Sequence, residues 1–309
     1  MSIDNANIPA FQTFFNYVGL NIVWTSITMY KYGIKGWARM VYKDGWRYLI
    51  LSFCDVEGNY FTVLGFRYTT ILSAQLINFW AIVIVVVISF LFLHVRYKLP
   101  QVVGIFTCVA GIGLLMVSDH LTGANQFPAE NQLKGDLFAL LGATCYGFSN
   151  VLQEFLVSKR PMYEVVGMLA FWGMIINGTQ AGIFDRTDFR NAAWSGAVIG
   201  YIVGFDVLLF IFYSVAPLVF RMGSAAFLNI SLLTGNFWGT IVGIQVFHYT
   251  VHWLYPVAFV LIMLGLFVYF IIDNAWGDAK KPWLGDNQEQ GVDGVGTARR
   301  RLEHPEAVV

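Results

Sequence analysis

The sequence TILSAQLINFWAIVIVVVISFLFL, at residues 70–93, contains no Asp, Glu, Lys or Arg. A helix of about 20 apolar residues spans the hydrocarbon core of a bilayer. This run therefore predicts a membrane-spanning helix. Similar apolar runs precede and follow it, and together they predict an all-α polytopic membrane protein with about nine spans, at residues 10–30, 47–66, 70–93, 100–118, 135–156, 163–183, 193–213, 222–244 and 252–272.

The composition agrees with a membrane protein. Apolar residues make up 57% of the chain and charged residues only 12%, against about 25% charged residues in soluble domains. The net charge is zero, so nothing indicates a nucleic acid partner. Residues 273–309 are rich in Gly, Asp, Lys and Arg, and we expect them to be a disordered tail after a transmembrane domain at residues 1–272.

Basic residues are distributed unevenly between alternate loops. One set of loops carries Lys31, Lys35, Arg39, Lys43, Arg47, Arg96, Lys98, Lys159, Arg160 and Arg221; the other carries Arg67, Lys134, Arg186 and Arg190. Short loops rich in Lys and Arg stay in the cytosol. The first set is therefore predicted to be cytosolic, which places the N-terminus outside or in a lumen and the C-terminus in the cytosol.

The two halves of the membrane region share a pattern that indicates an internal repeat. Phe66-Arg67, Asn78-Phe79-Trp80, Pro100 and Asp119 recur as Phe220-Arg221, Asn236-Phe237-Trp238, Pro256 and Asp273. In the predicted orientation the two halves, at residues 1–119 and 133–272, run in opposite directions. Inverted repeats are typical of secondary transporters that bind a solute near the bilayer midplane. The alternative is coincidence in a chain rich in aromatic residues.

Polar residues inside the second predicted span mark a candidate binding site. A carboxylate at the centre of a membrane helix costs roughly 2.5–3.5 kcal/mol on insertion scales, yet this span contains Asp55, Glu57 and Asn59. Asp55 and Asn59 share one face, whereas Glu57 points elsewhere. These residues predict either a solute or proton site or carboxyl groups that brace helix packing.

The second half adds further candidates for the same cavity. Tyr146 and Asn150 belong to a polar stripe on the fifth span, and Asp206 is the charged residue of the seventh. Asn229 and Thr234 lie in the eighth span, where they either bind polar groups of a solute or link helices.

Two arginines and two glycine ladders leave alternatives open. Arg67 and Arg221 occupy equivalent repeat positions, where they either attract anionic solutes at gates or serve as interface anchors, the commoner role. The glycine ladders favour packing within the bundle over a homodimer, which stays open; they are Gly196, Gly200 and Gly204, and Gly235, Gly239 and Gly243.

No cofactor or metal is predicted. The sequence contains neither a phosphate-binding glycine loop with its lysine nor a nucleophile elbow. The expected partners are therefore a small-molecule substrate and the lipid bilayer.

Several specific runs spread over nearly the whole membrane region carry a family resemblance. They are Asp55 to Tyr60, Arg67-Tyr68-Thr69-Thr70, Ser73-Ala74-Gln75-Leu76, Tyr146 to Val151 with Glu154, Tyr213 to Pro217, and Ser224 to Asn229 with Leu233-Thr234. These runs resemble solute carrier family 35, subfamily F, of the drug/metabolite transporter superfamily. The resemblance implies ten helices in two inverted five-helix repeats; related branches carry nucleotide sugars across Golgi and endoplasmic reticulum membranes.

The chain begins where this family has the loop before its second helix, so the resemblance implies nine helices, arranged four plus five. We therefore expect a secondary-active transporter of a small organic solute, working by alternating access in an endomembrane or the plasma membrane. The solute is a nucleotide sugar, a nucleoside-like metabolite or an organic anion. The alternatives are a non-transporting membrane scaffold or regulator, and an intramembrane enzyme with Asp55 and Asp206 as its dyad.

Overall fold

The computed structural model describes residues 8–68, 77–78, 80–95, 97–122, 132–191, 194–232, 235 and 253–270. Within these ranges the chain is helical and contains no β-strand, and each of the nine predicted spans overlaps a helix. A π-helix, Asn21–Thr25, joins α1 to α2. The helices are α1 (Pro9–Leu20), α2 (Ser26–Tyr68), α3 (Trp80–Leu91), α4 (Leu99–Thr122), α5 (Gln132–Lys159), α6 (Met162–Phe184), α7 (Arg186–Asn191), α8 (Gly196–Met222), α9 (residues 225–232) and α10 (Leu254–Phe270).

The predicted loop at residues 31–46 is helical, which corrects the boundary between the first two predicted spans. α2 runs from Ser26 to Tyr68 with one non-helical residue inside it, Gly33, at φ 70° and ψ 162°. Glycine adopts this positive φ without a steric penalty, so the chain changes direction there. Met40 within the segment and Tyr48 just after it are buried, so the segment has an inward side that packs on the bundle.

α8 is longer than the predicted seventh span, which was expected to end near residue 213. The helix begins at Gly196, where the Ser195 hydroxyl accepts a hydrogen bond from Val198 N at 3.2 Å. It then continues to Met222 through Pro217. Pro217 has no N–H to donate to the carbonyl of Tyr213, so α8 lacks one backbone hydrogen bond at this point.

Glycines allow two helix pairs to pack backbone against backbone. A methyl group at Gly142 of α5 would lie 2.5 Å from Thr62 Oγ1 and 2.9 Å from Thr62 N on α2. A methyl group at Gly104 of α4 would lie 2.6 Å from the carbonyl oxygen of Gly265 on α10. Glycine is therefore required at both contacts for the observed helix separation.

The glycine ladder of α8 differs from this pattern and from its expected role inside the bundle. Gly196, Gly200 and Gly204 are exposed, and no described neighbouring atom lies within 4 Å of a methyl group added at any of them. In the part of the chain that the structure describes, this ladder therefore supports no close helix contact. Gly239 and Gly243 of the second ladder lie outside the described residues.

One described helix is long and apolar enough to cross a membrane by itself, at Val198–Arg221. Shorter apolar helices occur at Trp80–Leu91, Leu99–Gly111 and Pro256–Tyr269. The count of nine spans stays a prediction. So does the inverted repeat, because several of its matching residues, Phe79, Asn236 and Asp273 among them, lie outside the described residues, as does the tail at 273–309.

Candidate functional site

Asp55 is the centre of a buried polar cluster built from four helices. The residue is 5% exposed. Tyr17 Oη of α1 donates to Asp55 Oδ2 at 2.6 Å, and Tyr213 Oη of α8 donates to the same oxygen at 2.7 Å. Ser149 Oγ of α5 donates to Asp55 Oδ1 at 3.0 Å. Three other helices thus contribute one hydroxyl each to a carboxylate on α2.

Asn59 lies one helical turn after Asp55, on the same face as predicted, and connects the hydroxyl groups to one another. Asn59 Nδ2 lies 3.0 Å from Tyr17 Oη and 2.7 Å from Tyr213 Oη, while Asn59 Oδ1 accepts from Tyr146 Oη at 2.7 Å. One continuous network results, named here the Asp55 cluster; its members are Tyr17, Asp55, Asn59, Tyr146, Ser149 and Tyr213.

The hydrogen bonds of the Asp55 cluster are directed toward the carboxylate. Every hydrogen bond to its oxygens comes from a neutral hydroxyl group, and among the described residues no cation pairs with Asp55. An ionised carboxylate only accepts hydrogen bonds, which fits these three donors. A proton added to Asp55 would remove the charge that strengthens these three hydrogen bonds, so the links to all three helices would weaken.

The Asp55 cluster connects residues from both predicted half-repeats. Tyr17, Asp55 and Asn59 lie in the first half, whereas Tyr146, Ser149 and Tyr213 lie in the second. Two backbone irregularities lie close to the cluster: the π-helix Asn21–Thr25 begins one turn after Tyr17, and Pro217 comes one turn after Tyr213. Both interrupt the regular helical hydrogen bonding, which is where helices bend.

Glu57 lies outside the Asp55 cluster, as the spacing predicted. Its Oε1 accepts a hydrogen bond from Gln180 Nε2 of α6, and the side chain is partly exposed. This pair links α2 to α6 on a different face of α2.

Asn150 and Asn229 form a separate link between α5 and α9. Asn150 Nδ2 donates to Asn229 Oδ1 at 3.1 Å, and Asn229 Nδ2 donates to the carbonyl oxygen of Ala225 at 2.8 Å. Glu154, one turn further along α5, accepts from Ala225 N at 2.8 Å at the start of α9. These contacts match the helix-linking role that the sequence left open for Asn229.

The remaining candidates are not joined to the Asp55 cluster by the hydrogen bonds of the described residues. Asp206 lies two turns before Tyr213 on α8, about 10 Å along the helix, and its Oδ1 is buried without a hydrogen-bond partner there. A catalytic dyad would require a hydrogen bond between its two carboxyl groups, and Asp55 and Asp206 do not share one. Arg221 lies in the last turn of α8. The side chain of Arg67 and the whole of Thr234 lie outside the described part.

A second buried carboxylate, which the sequence analysis missed, lies near the start of α6. Glu164 is fully buried. It accepts from Tyr48 Oη at 2.6 Å and from Tyr32 Oη at 3.0 Å, and it pairs with Arg160 Nη1 at 3.1 Å. Arg160 also pairs with Asp44 at 3.3 Å. These five residues are named the Glu164 cluster.

Comparisons with known proteins agree with the resemblance noted in the sequence. The family model described as Solute carrier family 35 (SLC35F) matches residues 1–271. An uncharacterized solute carrier family 35 member from Schizosaccharomyces pombe is 50% identical over 295 residues, covering 96% of this chain and 58% of that protein. Solute carrier family 35 member F2 from Xenopus tropicalis is 35% identical over 270 residues, covering 86% of this chain and 69% of that protein.

A solved crystal structure shares the fold with a TM-score of 0.65 and 14% sequence identity, covering 85% of this chain and 88% of that one. At this identity the similarity bears on the fold alone. The chain spans 58% of the length of the Schizosaccharomyces pombe relative. On the match of the family model to residues 1–271 and the identity to curated members, the chain belongs to solute carrier family 35.

Proposed function

We propose that this protein is a secondary-active transporter of a small organic solute and that it works by alternating access. Membership in solute carrier family 35 supports a carrier rather than an enzyme. The observation that supports the mechanism is the Asp55 cluster, in which neutral hydroxyl groups from α1, α5 and α8 all donate to one buried carboxylate on α2.

The mechanism follows from the charge of the acceptor. Asp55 accepts from Tyr17, Ser149 and Tyr213. When it takes up a proton, these charge-assisted hydrogen bonds become weaker neutral ones, and a solute hydroxyl group that donates to Asp55 competes with them for the carboxylate oxygens. Ser149 and Tyr213 connect the two halves, so weakening either bond weakens the contact between them. A ligand that binds one arrangement of the halves better shifts the equilibrium toward it.

The chemistry of the cluster suits a solute rich in hydroxyl groups. Carboxylate, amide and phenol groups can accept hydrogen bonds from the hydroxyl groups of a sugar ring, and amide and phenol groups can also donate to them. A nucleoside-like metabolite or a nucleotide sugar contains such a ring. Arg67 and Arg221, placed at the ends of α2 and α8, would attract the anionic part of a nucleotide sugar or an organic anion. The substrate class is therefore one of these three.

The orientation in the membrane is part of the proposal. The excess of basic residues in alternate loops favours a cytosolic C-terminus and an N-terminus outside or in a lumen. The protein would work in an endomembrane, of the Golgi or endoplasmic reticulum, or in the plasma membrane. Tags at the two ends, tested for protease access in intact and opened vesicles, would measure this orientation.

The central experiment is uptake by the purified protein in liposomes. Pools of nucleotides, nucleotide sugars and nucleosides are offered with and without a pH difference across the membrane. Asp55→Asn keeps the shape of the side chain and removes its charge, so uptake should fall at least tenfold and lose its dependence on pH. Glu57→Gln is the matched variant, because it removes a carboxylate from the same helix outside the Asp55 cluster and should keep the pH dependence.

The outcomes separate the proposals. Saturable uptake that Asp55→Asn abolishes supports the carrier and identifies the class of its substrate. Saturable uptake with an unchanged pH profile in Asp55→Asn contradicts the role of Asp55 and leaves the carrier intact. No uptake from any pool, by protein that is folded in the liposomes, contradicts transport and favours the scaffold or regulator.

A further inference from the structure

Five cations form a ladder along the outside of the first part of α2. From Lys35 onward they recur at every fourth residue, so consecutive members are neighbours on the helix surface and the row winds around the helix by about 40° per step. Lys31 lies before the kink at Gly33. Four are exposed and the last is partly buried; in chain order the ladder is Lys31, Lys35, Arg39, Lys43 and Arg47.

A second ladder, of mainly large apolar and aromatic side chains, runs beside the first with an offset of one residue. Its large members are strongly exposed: Tyr30 is 86% exposed, Ile34 74%, Tyr42 94% and Trp46 59%. Neighbouring residues of a helix are about 100° apart, so the two ladders lie next to each other on the surface. Arg47 Cζ lies 5.4 Å from the ring centroid of Trp46, which joins the ladders by a cation–π contact.

The opposite face of the same segment holds it on the helix bundle. The ring of Trp37 packs on that of Phe171 at 5.1 Å, and the Trp172 ring lies against Gly45. α2 therefore offers the two ladders outward in a fixed orientation.

Among the described residues, the ladder of cations has no acidic partner. The acidic residue of the segment, Asp44, is directed toward Arg160 at 3.3 Å. In the described part of the chain, no acidic side chain forms an ion pair with any of the five cations. Lys159, at the end of α5, lies near this positive charge: its pKa is lowered, first by partial burial and then by the charges of Arg47 and Arg160.

We propose that this surface, formed by residues 30–47, binds the headgroups of anionic membrane lipids. Lys and Arg attract anionic headgroups, and Tyr and Trp are favoured at the boundary between headgroups and hydrocarbon. An acidic protein would explain the cations but not the exposed Ile34 and Trp46 beside them. A lipid layer offers phosphate groups and apolar surface at adjacent depths, which matches adjacent ladders of the two kinds.

The test measures the thermal stability of the full chain, purified in a neutral detergent, as lipid is added. Phosphatidylserine should raise the melting temperature of the wild type, and phosphatidylcholine should raise it much less. Each basic residue near an anionic surface contributes about 1 kcal/mol, so Lys35→Gln/Arg39→Gln/Lys43→Gln should weaken the apparent affinity for phosphatidylserine on the order of 100-fold. Raising the salt to about 1 M should also reduce the response, because it shortens the screening length to about 3 Å.

Two sets of variants keep the test decisive. Lys134→Gln/Arg186→Gln/Arg190→Gln removes the same charge from exposed positions elsewhere and should keep the response to phosphatidylserine. If the triple ladder variant does not fold, the single variants Lys35→Gln and Lys43→Gln at exposed positions should each weaken the affinity about fivefold. The proposal is overturned if the ladder variants respond like the wild type, or if phosphatidylcholine or soluble inorganic phosphate produces the same shift.

Discussion

The Asp55 and Glu164 clusters each stabilise a buried carboxylate, but with different partners. Each buries a carboxylate and gives it two tyrosine hydroxyl groups: Tyr17 and Tyr213 for Asp55, and Tyr32 and Tyr48 for Glu164. The Glu164 cluster also contains Arg160, one helical turn away, at 3.1 Å. The charge of Glu164 therefore has a fixed counter-charge, whereas Asp55 depends on neutral donors from three other helices.

On this difference we propose different roles for the two clusters. Tyr32 and Tyr48 lie on either side of the kink at Gly33, and both reach Glu164 at the start of α6. The Glu164 cluster thus connects both sides of the bend of α2 to α6. At Asp55 a change of charge would act on contacts between helices, which is the property that a coupling site requires.

The largest effect on stability is expected from removing the counter-charge of Glu164. Arg160→Met leaves Glu164 and Asp44 without their common partner, and breaking a buried pair in this way costs about 3–5 kcal/mol. Thermal unfolding in detergent should show a large drop in the melting temperature. The double variant Arg160→Met/Glu164→Gln should recover much of the loss; no recovery would show that Arg160 acts through packing and not through charge.

The next largest loss of stability is expected from removing tyrosine hydroxyl groups. Both clusters contain them, so the same substitution can be compared in each. Hydrogen bonds to charged groups contribute about 1.5–3 kcal/mol, so Tyr213→Phe and Tyr48→Phe should each lower the stability by about this amount. Only Tyr213→Phe should change the pH dependence of uptake in liposomes, because its hydroxyl group contacts Asp55.

The two tyrosine variants share the same chemical change, and so each is the control for the other. An altered pH profile in Tyr48→Phe as well would contradict the division of roles. If both variants have the same pH profile of uptake as the wild type, the Asp55 cluster has only a structural role.

The sequence predicted some members of these clusters and not others, for physical reasons. Asp55 and Asn59 were found because charged and amide groups are costly inside an apolar span. Tyr17 and Tyr213 were not, because tyrosine is common in this chain, with 15 occurrences, and its ring fits an apolar face while its hydroxyl group is polar. Only the fold shows that both hydroxyl groups converge on Asp55.

Glu164 and the segment at 31–46 were missed for a related reason. Glu164 lies at the edge of a predicted span, four residues after Arg160, where the sequence does not distinguish a buried carboxylate from one at the membrane surface, and it is fully buried. The many cations at 31–46 predict a loop between two spans, whereas their spacing of four residues also fits neighbouring positions on a helix surface. The all-helical class followed from hydropathy alone, while helix boundaries depend on tertiary contacts that hydropathy does not contain.

A smaller effect is expected from changing the separation of α2 and α5, the helices that carry Asp55 and Ser149. Gly142→Ala places a methyl group 2.9 Å from Thr62 N, and overpacking of this kind costs about 1–3 kcal/mol. Gly113→Ala is the matched control, because no described neighbouring atom lies within 4 Å of its added methyl group. Alanine also favours the helix by up to about 1 kcal/mol over glycine, so thermal unfolding should show loss in Gly142→Ala and none in Gly113→Ala.

The smallest effect is expected from the link between Asn150 and Asn229. Asn150→Ala, Asn229→Ala and the double variant form a thermodynamic cycle on the 3.1 Å hydrogen bond between α5 and α9. Hydrogen bonds between membrane helices average about 0.6 kcal/mol, with a maximum near 1.7, and both residues lie in the same predicted half. A coupling energy near that average, with an unchanged pH profile of uptake, would mark the pair as a helix link. A coupling energy well above that maximum, or a changed profile, would extend the functional site from the Asp55 cluster along α5 to α9, because Asn150 is adjacent to Ser149.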